Sequence, residues 1–388
     1  MNHPIERKNR FIEYSLYLGC FLTNISQLPI FVQAGLTQRL AFPGWMLLTI
    51  AIFISRKIRM TKAVITQICF GVALIIWLLL DSLLISMSQF RSSIFYSYMI
   101  SLFIFTLGSW VSEYVNERVF ENINKIFVVS IFLVSANIFV EFFGVGYDLS
   151  TRFYEYSSKN SVSQIIFTAL ILLIVRYKPQ NTVGRLTKAG IIAFEMYVIL
   201  LLRSRATLVS LLLCILVMVL ARDTSRKMKI AICIVAFGFI VMLVFNREFN
   251  NFIFNKVILA NRNVTNLNDL TSGRVNIISN FPQLIKGNWL TGIGPMYYEC
   301  FPLSAILQFG IAGGVLCIII SLQPLWKSFV FRHASDTWYL LYLIAIGYSV
   351  NGLFEGLAPF GPGVKCYYMW LLFGFLMGQK TNLSKDDH

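Results

Sequence analysis

From Phe11 to Met377 the chain is a near-continuous succession of apolar runs, and no stretch between them carries enough apolar residues to build a core of its own. Twelve runs approach the length that crosses a hydrocarbon layer: 11–33, 42–55, 63–87, 94–112, 126–145, 161–176, 189–202, 206–221, 228–245, 303–323, 337–353 and 365–379. A layer of about 30 Å takes about 20 helical residues, fewer where flanking side chains reach outward. In lipid each backbone N–H and C=O must be satisfied within the chain, so such runs specify helices. The pattern predicts an all-α fold, a polytopic transmembrane helical bundle of about 12 spans forming a single membrane domain over residues 1–388.

Composition excludes the soluble classes. Charged residues make up 13% of the chain and hydrophobic residues 57%, whereas soluble domains are about one-quarter charged. The net charge of +15 fits either nucleic acid or a membrane surface, and the placement of the basic residues decides between them. They stand in short connections between apolar runs, so no nucleic-acid partner is expected. The cytoplasmic stretch 222–229 is basic without aromatics and reads as an anchor at a lipid surface. Seven cysteines are scattered singly, with no disulfide framework and no zinc spacing. Arg7, Lys8 and Arg10 precede the first apolar run, but 26–33 shows no small-residue cleavage site, and the segment is read as a retained first helix.

Lysine and arginine resist translocation, so the more basic set of alternate loops marks the cytoplasm. With the N-terminus inside, that side receives Arg7, Lys8 and Arg10; Arg56, Lys57, Arg59 and Lys62; Arg176, Lys178, Arg185 and Lys188; and Arg222, Arg226, Lys227 and Lys229. Both termini are then cytoplasmic. One connection on the opposite face is far longer than the rest, 246–302, and loops of that length in compact proteins tend to carry function.

This loop contains Thr271-Ser272-Gly273-Arg274, Trp289-Leu290-Thr291-Gly292-Ile293-Gly294-Pro295 and Glu299, and is followed by an apolar helix with Gly310, Gly313 and Gly314. On the same face, Arg203-Ser204-Arg205-Ala206-Thr207 joins two spans. At these residues the chain resembles the O-antigen polymerase and ligase superfamily of bacterial envelope glycosyltransferases. That family shows a Ser-Arg-small junction before a helix, a Ser-Gly-Arg and a Gly-x-Gly in a large periplasmic loop, and a polar residue eleven positions before a helix glycine. Here that position is Glu299, followed by Cys300. The ligases carry His followed by Asn at this place, so the carboxylate looks more like the polymerases.

The resemblance implies an inverting, metal-independent transferase of the bacterial inner membrane. It would move a glycan from undecaprenyl diphosphate to a sugar hydroxyl on a second lipid-linked unit at the periplasmic face. It implies no cofactor, and as partners the undecaprenyl-diphosphate-linked oligosaccharide, membrane lipids and a chain-length co-polymerase. Because the leaving diphosphate gains negative charge as the bond breaks, fixed cations aimed at it favour the transition state. Arginine suits this work through its planar fork of donors and permanent charge. Arg205 and Arg274 are the expected diphosphate clamps and Glu299 the candidate base, with Arg203 and Arg152 as further substrate contacts. Flat sugar faces stack on aromatic rings, which brings in Trp289 and Tyr298.

The bland readings stand beside these: arginines at helix ends reach for headgroups, loop aromatics form an interfacial belt, and Glu299 complements a helix N-terminus. Asp148, Glu155, Glu248, Asp269 and Glu355 are alternatives for the base. Asp81, Glu141 and Glu195 lie within apolar runs, where each is expected to face a partner or a polar cavity. The competing functions are an O-antigen ligase acting on lipid A core and, in another class, a lipid-linked oligosaccharide flippase or transporter, whose polar residues would lie along the midplane of several helices.

Overall fold

The computed structural model describes residues 3–55, 58, 60–84, 92–144, 159–221, 226–259, 268, 273–361 and 366–386. Arg152, Thr271 and Ser272 lie outside the described residues. Among the described residues every regular element is helical. The order is α1 (His3–Ile25), α2 (Pro29–Gln33), α3 (Thr37–Ser55), α4 (Lys62–Leu84), α5 (Ser93–Val111), α6 (Glu117–Gly144), α7 (Lys159–Val175), α8 (Thr182–Leu201), α9 (Arg205–Leu220), α10 (Arg226–Phe245) and α11 (Arg247–Asn251). A π-helical stretch, Phe252–Ile258, follows, then α12 (Arg274–Leu284), α13 (Phe301–Phe331), α14 (Asp336–Gly352) and α15 (Tyr367–Asp386).

Five of these, α3, α4, α5, α6 and α13, are long and apolar enough to cross a membrane, while α7 and α9 are apolar but shorter. Their outward faces are apolar as well as their inward ones. On α4, for instance, Ile65, Val72, Ile76, Leu79, Leu80 and Leu83 are exposed while Val64, Leu74 and Leu78 are buried. A helix that is apolar all round is stable only when its outer face meets lipid or more protein.

Two expectations need correcting. The run 11–33 is not one helix: α1 stops at Ile25, a turn follows, and α2 starts on Pro29. Proline has no N–H to give the preceding turn and is favoured at a helix start, so it resets the chain there. The run 303–323 is not one uniform span either. α13 extends to Phe331, and at Gly310 its backbone leaves the helical region (φ 69°, ψ −176°).

Helices meet where small residues let backbones approach, the usual means of association in lipid. α5 and α15 lie closest: a methyl placed on Gly108 would stand 2.3 Å from the Leu371 carbonyl oxygen, and one on Gly374 2.0 Å from that of Phe105. α1 crosses α3 at Gly19 and Gly44, where a methyl on Gly44 would stand 2.5 Å from Gly19 Cα, and the Trp45 indole next to this crossing donates to Thr23 Oγ1 at 2.8 Å. Polar ties fix the register. Asn24 on α1 donates to Ser130 on α6 at 2.6 Å and accepts from the Tyr367 hydroxyl on α15 at 2.9 Å.

The carboxylates within apolar helices fare differently. Glu195, 1% exposed, accepts from the Ser135 hydroxyl at 2.5 Å, and Glu141 accepts from Gln33 at 3.1 Å. Asp81 is as buried as Glu195, yet neither of its oxygens accepts a hydrogen bond among the described residues, so the partner expected for it is not found there.

Candidate functional site

The break in α13 organises the site. Interrupting a helix frees donors and acceptors that must find partners, and the segment 289–296 supplies them. Ile311 N donates to the Trp289 carbonyl at 2.8 Å, Ile293 N donates to the Leu307 carbonyl at 2.8 Å, and Gln308 Nε2 donates to the Met296 carbonyl at 2.6 Å. From the other side the Trp77 indole donates to the Phe309 carbonyl at 2.8 Å, and Ser92 Oγ donates to Gln308 Oε1 at 2.5 Å. The Gly-x-Gly of the loop therefore lies directly on the helix break. Beneath it Phe281, Ile285, Tyr298 and Leu307 form a small second core.

Arg274 is the first residue of α12. Gly273 before it has φ 86°, and its N–H donates to the Asn268 carbonyl at 2.7 Å, while the Asn268 side chain accepts from Asn276 N at 3.0 Å. The glycine makes the left-handed turn that starts the helix. From there the guanidinium of Arg274 reaches Glu299 (Nη2 to Oε2, 3.5 Å) and donates to the Phe354 carbonyl at 3.1 Å. Its Cζ also lies 5.6 Å from the centre of the Phe354 ring.

Arg205 is likewise a first helical residue, at the start of α9. Between α8 and α9 Arg203 adopts φ 52°, and the buried Ser204 precedes the helix with its hydroxyl 2.9 Å from that of Thr207. One turn further on, Ser210 donates to the Gly347 carbonyl at 3.0 Å and accepts from Asn351 at 3.0 Å. These bonds tie α9 to the end of α14, from which Leu353 and Phe354 continue.

Arg205, Arg274, Glu299 and Cys300 line one cleft of about 300 Å³, walled by Ala206, Val209, Val275, Ile277, Ile278, Leu353 and Phe354. Three sequence-distant residues singled out by motif thus converge. The cleft joins two cations and a carboxylate to an apolar lining, with Val209, Val275, Ile278 and Leu353 open at its surface.

The remaining candidates lie elsewhere. Tyr298, 6% exposed, turns into the second core, and its hydroxyl donates to the Ile277 carbonyl, so its ring does not line the cleft. Trp289 stays half-exposed, edge-on to Phe281, over the helix break rather than in the cleft. Arg203 occupies the turn before the cleft-lining Arg205.

Glu355, one of the alternatives for the base, stands next to this cleft in sequence. It follows Phe354, and its carboxylate accepts from Asn160 Nδ2 of α7 at 2.6 Å and from the Tyr297 hydroxyl. Burial, helped by the neighbouring charge of Glu299, raises its pKa to about 7, against the pull of Arg274 and the two donors. No sequence signal separates it from the other loop carboxylates. Among the described residues no three side chains of His, Cys, Asp or Glu gather as they would around a metal ion.

No protein-family model and no curated protein sequence matches this chain.

Proposed function

We propose that this protein is a membrane glycosyltransferase that polymerises surface-polysaccharide repeat units, moving a glycan from undecaprenyl diphosphate to a sugar hydroxyl of another lipid-linked unit. The observation that carries the reading is the meeting of Arg205 and Arg274 in one cleft with Glu299 and an apolar rim. Two guanidinium groups can grip a diphosphate through several charge-assisted bonds and strengthen that grip as negative charge builds on the leaving oxygen. The carboxylates beside Arg274 supply a proton acceptor for the hydroxyl that attacks. The apolar rim suits the first isoprene units next to the diphosphate.

In this reading about twelve helices span the bacterial inner membrane, both termini are cytoplasmic, and the cleft with its 246–302 loop faces the periplasm. The basic connections between α3 and α4 and between α7 and α8 support that orientation. Glu299, standing where the ligases carry His, favours a polymerase. The gathering of charge in one cleft favours an enzyme over a transporter.

Purified protein in lipid nanodiscs, given synthetic undecaprenyl-diphosphate-linked repeat units and neither nucleotide sugar nor metal, is expected to produce a ladder of longer lipid-linked glycans. An unchanged substrate overturns the assignment.

A further inference from the structure

Resting on the glycosyl-transfer reading, we propose that Glu355 is the group that takes the acceptor's proton, and that Glu299 serves to hold Arg274. The two carboxylates come from different ends of the site: Glu299 precedes α13 and Glu355 follows α14. Their surroundings set them apart. Glu299 is ion-paired with Arg274 at 3.5 Å and stands 42% exposed. A carboxylate in that position aims the guanidinium. Glu355 feels the charge of Arg274 too, but its hydrogen bonds come from neutral donors, the Asn160 amide at 2.6 Å and the Tyr297 hydroxyl.

Asn160, Tyr297, Glu299 and Arg274 approach Glu355 from α7, the loop before α13 and α12. Together with burial they leave its proton affinity near neutrality, where a general base works best. The two carboxylates can then divide the work of the site, one holding the Arg274 guanidinium and the other exchanging a proton. Glu355 lies one residue past Phe354, whose ring and carbonyl border Arg274. In this assignment the acceptor hydroxyl enters past Phe354, which lines the cleft and directly precedes Glu355.

The step balances. The acceptor oxygen bonds to the anomeric carbon and passes its proton to Glu355. The bond from that carbon to the diphosphate oxygen breaks, and its electron pair stays on undecaprenyl diphosphate under Arg205 and Arg274. Glu355 then returns the proton to water.

The test is the elongation rate of the nanodisc protein between about pH 5 and pH 9, separated into kcat and KM. Wild-type kcat is expected to fall on the acid side with a midpoint near the Glu355 value of about 7. Glu355→Gln keeps a carbonyl for Asn160 and is expected to lower kcat about 100-fold or more, with KM little changed and the acid limb gone. Glu299→Gln should keep the limb but move it to lower pH, because a repelling charge is lost, and should raise KM. Asn160→Ala removes a donor that favours the ionised form and should move the limb upward.

Elongation by Glu355→Gln at the wild-type rate, or an acid limb unmoved by both Glu299→Gln and Asn160→Ala, overturns the assignment of Glu355 and leaves the transferase reading standing. A wild-type protein that makes no product at any pH overturns the transferase reading, and this inference with it.

Discussion

Gly292 and Gly310 are fitted against each other so closely that neither tolerates a side chain. A methyl on Gly292 would stand 2.6 Å from Gly310 N, and one on Gly310 would stand 1.8 Å from the Leu290 carbonyl oxygen. Both also have positive φ, 74° and 69°. At Gly310 the accompanying ψ of −176° belongs to a region reached essentially only by glycine. Gly310→Ala is therefore expected to undock the 289–296 segment from α13, expose the loop to protease and abolish activity. Gly273→Ala is the control: its φ of 86° also disfavours a side chain, but nothing lies within 4 Å. It should cost only about 1–3 kcal/mol and leave the loop protected. Equal proteolysis of the two variants would mean that the interlock does not hold the loop.

Arg203 is the only non-glycine residue with positive φ among the described residues, at 52°. A side chain in that left-handed conformation costs about 1–2 kcal/mol. Arg203→Gly should remove the strain and raise the unfolding temperature, whereas Arg203→Ala keeps it and should not. A lower unfolding temperature for Arg203→Gly would show that the arginine side chain contributes more to the α8–α9 turn than its backbone costs.

The helices are legible in the sequence because an apolar run of spanning length leaves the backbone no other solution. Arg205, Arg274 and Glu299 are legible because each stands beside a local feature: a helix start after Ser204, a turn glycine at position 273, and a fixed count back from Gly310. Gly310 itself is visible only as a glycine in an apolar run. Its departure from helical geometry depends on the partners that 289–296 brings, and those are tertiary. Tyr298 is misplaced for a similar reason. A loop aromatic reads the same whether it faces substrate or covers a core, and Phe281, Ile285 and Leu307 decide the matter. Glu355 is not set apart from the other candidate bases because its character comes from Asn160 on α7 and from Tyr297 and Glu299 in the loop before α13, two separate parts of the chain.

If the two cleft arginines grip a diphosphate, charge alone will not replace them. Lysine keeps the charge but loses the planar fork, so Arg274→Lys should resemble Arg274→Ala, each lowering elongation by about 10²–10³-fold. Arg205→Ala should fall in the same range. Arg274 also holds the Phe354 carbonyl, so each variant's unfolding temperature should be measured alongside. Losing a partly exposed ion pair costs only about 0–1 kcal/mol, too little to account for the expected drop in rate. An Arg205→Ala protein that elongates normally would leave Arg274 as the sole clamp.

The carboxyl of Glu355 also makes stability depend on pH, independently of any activity. Its pKa rises from the ordinary 4.5 to about 7 in the folded protein, through burial first and then the charge of Glu299. The folded state thus binds this proton more tightly than the unfolded chain does. Below about pH 4.5 both states are protonated and the full stabilising contribution is present. Between about 4.5 and about 7 the unfolded chain has released the proton while the folded protein keeps it, so each rise in pH costs stability. Above about 7 both are ionised and the contribution is lost. Thermal unfolding of wild-type protein and Glu355→Gln, measured in parallel across this window, isolates the effect, because every other titrating group is common to both. The difference in unfolding temperature, wild type minus variant, should fall steadily as pH rises. A difference that stays constant would mean that Glu355 is already ionised at the acid end, as an ordinary exposed carboxylate would be.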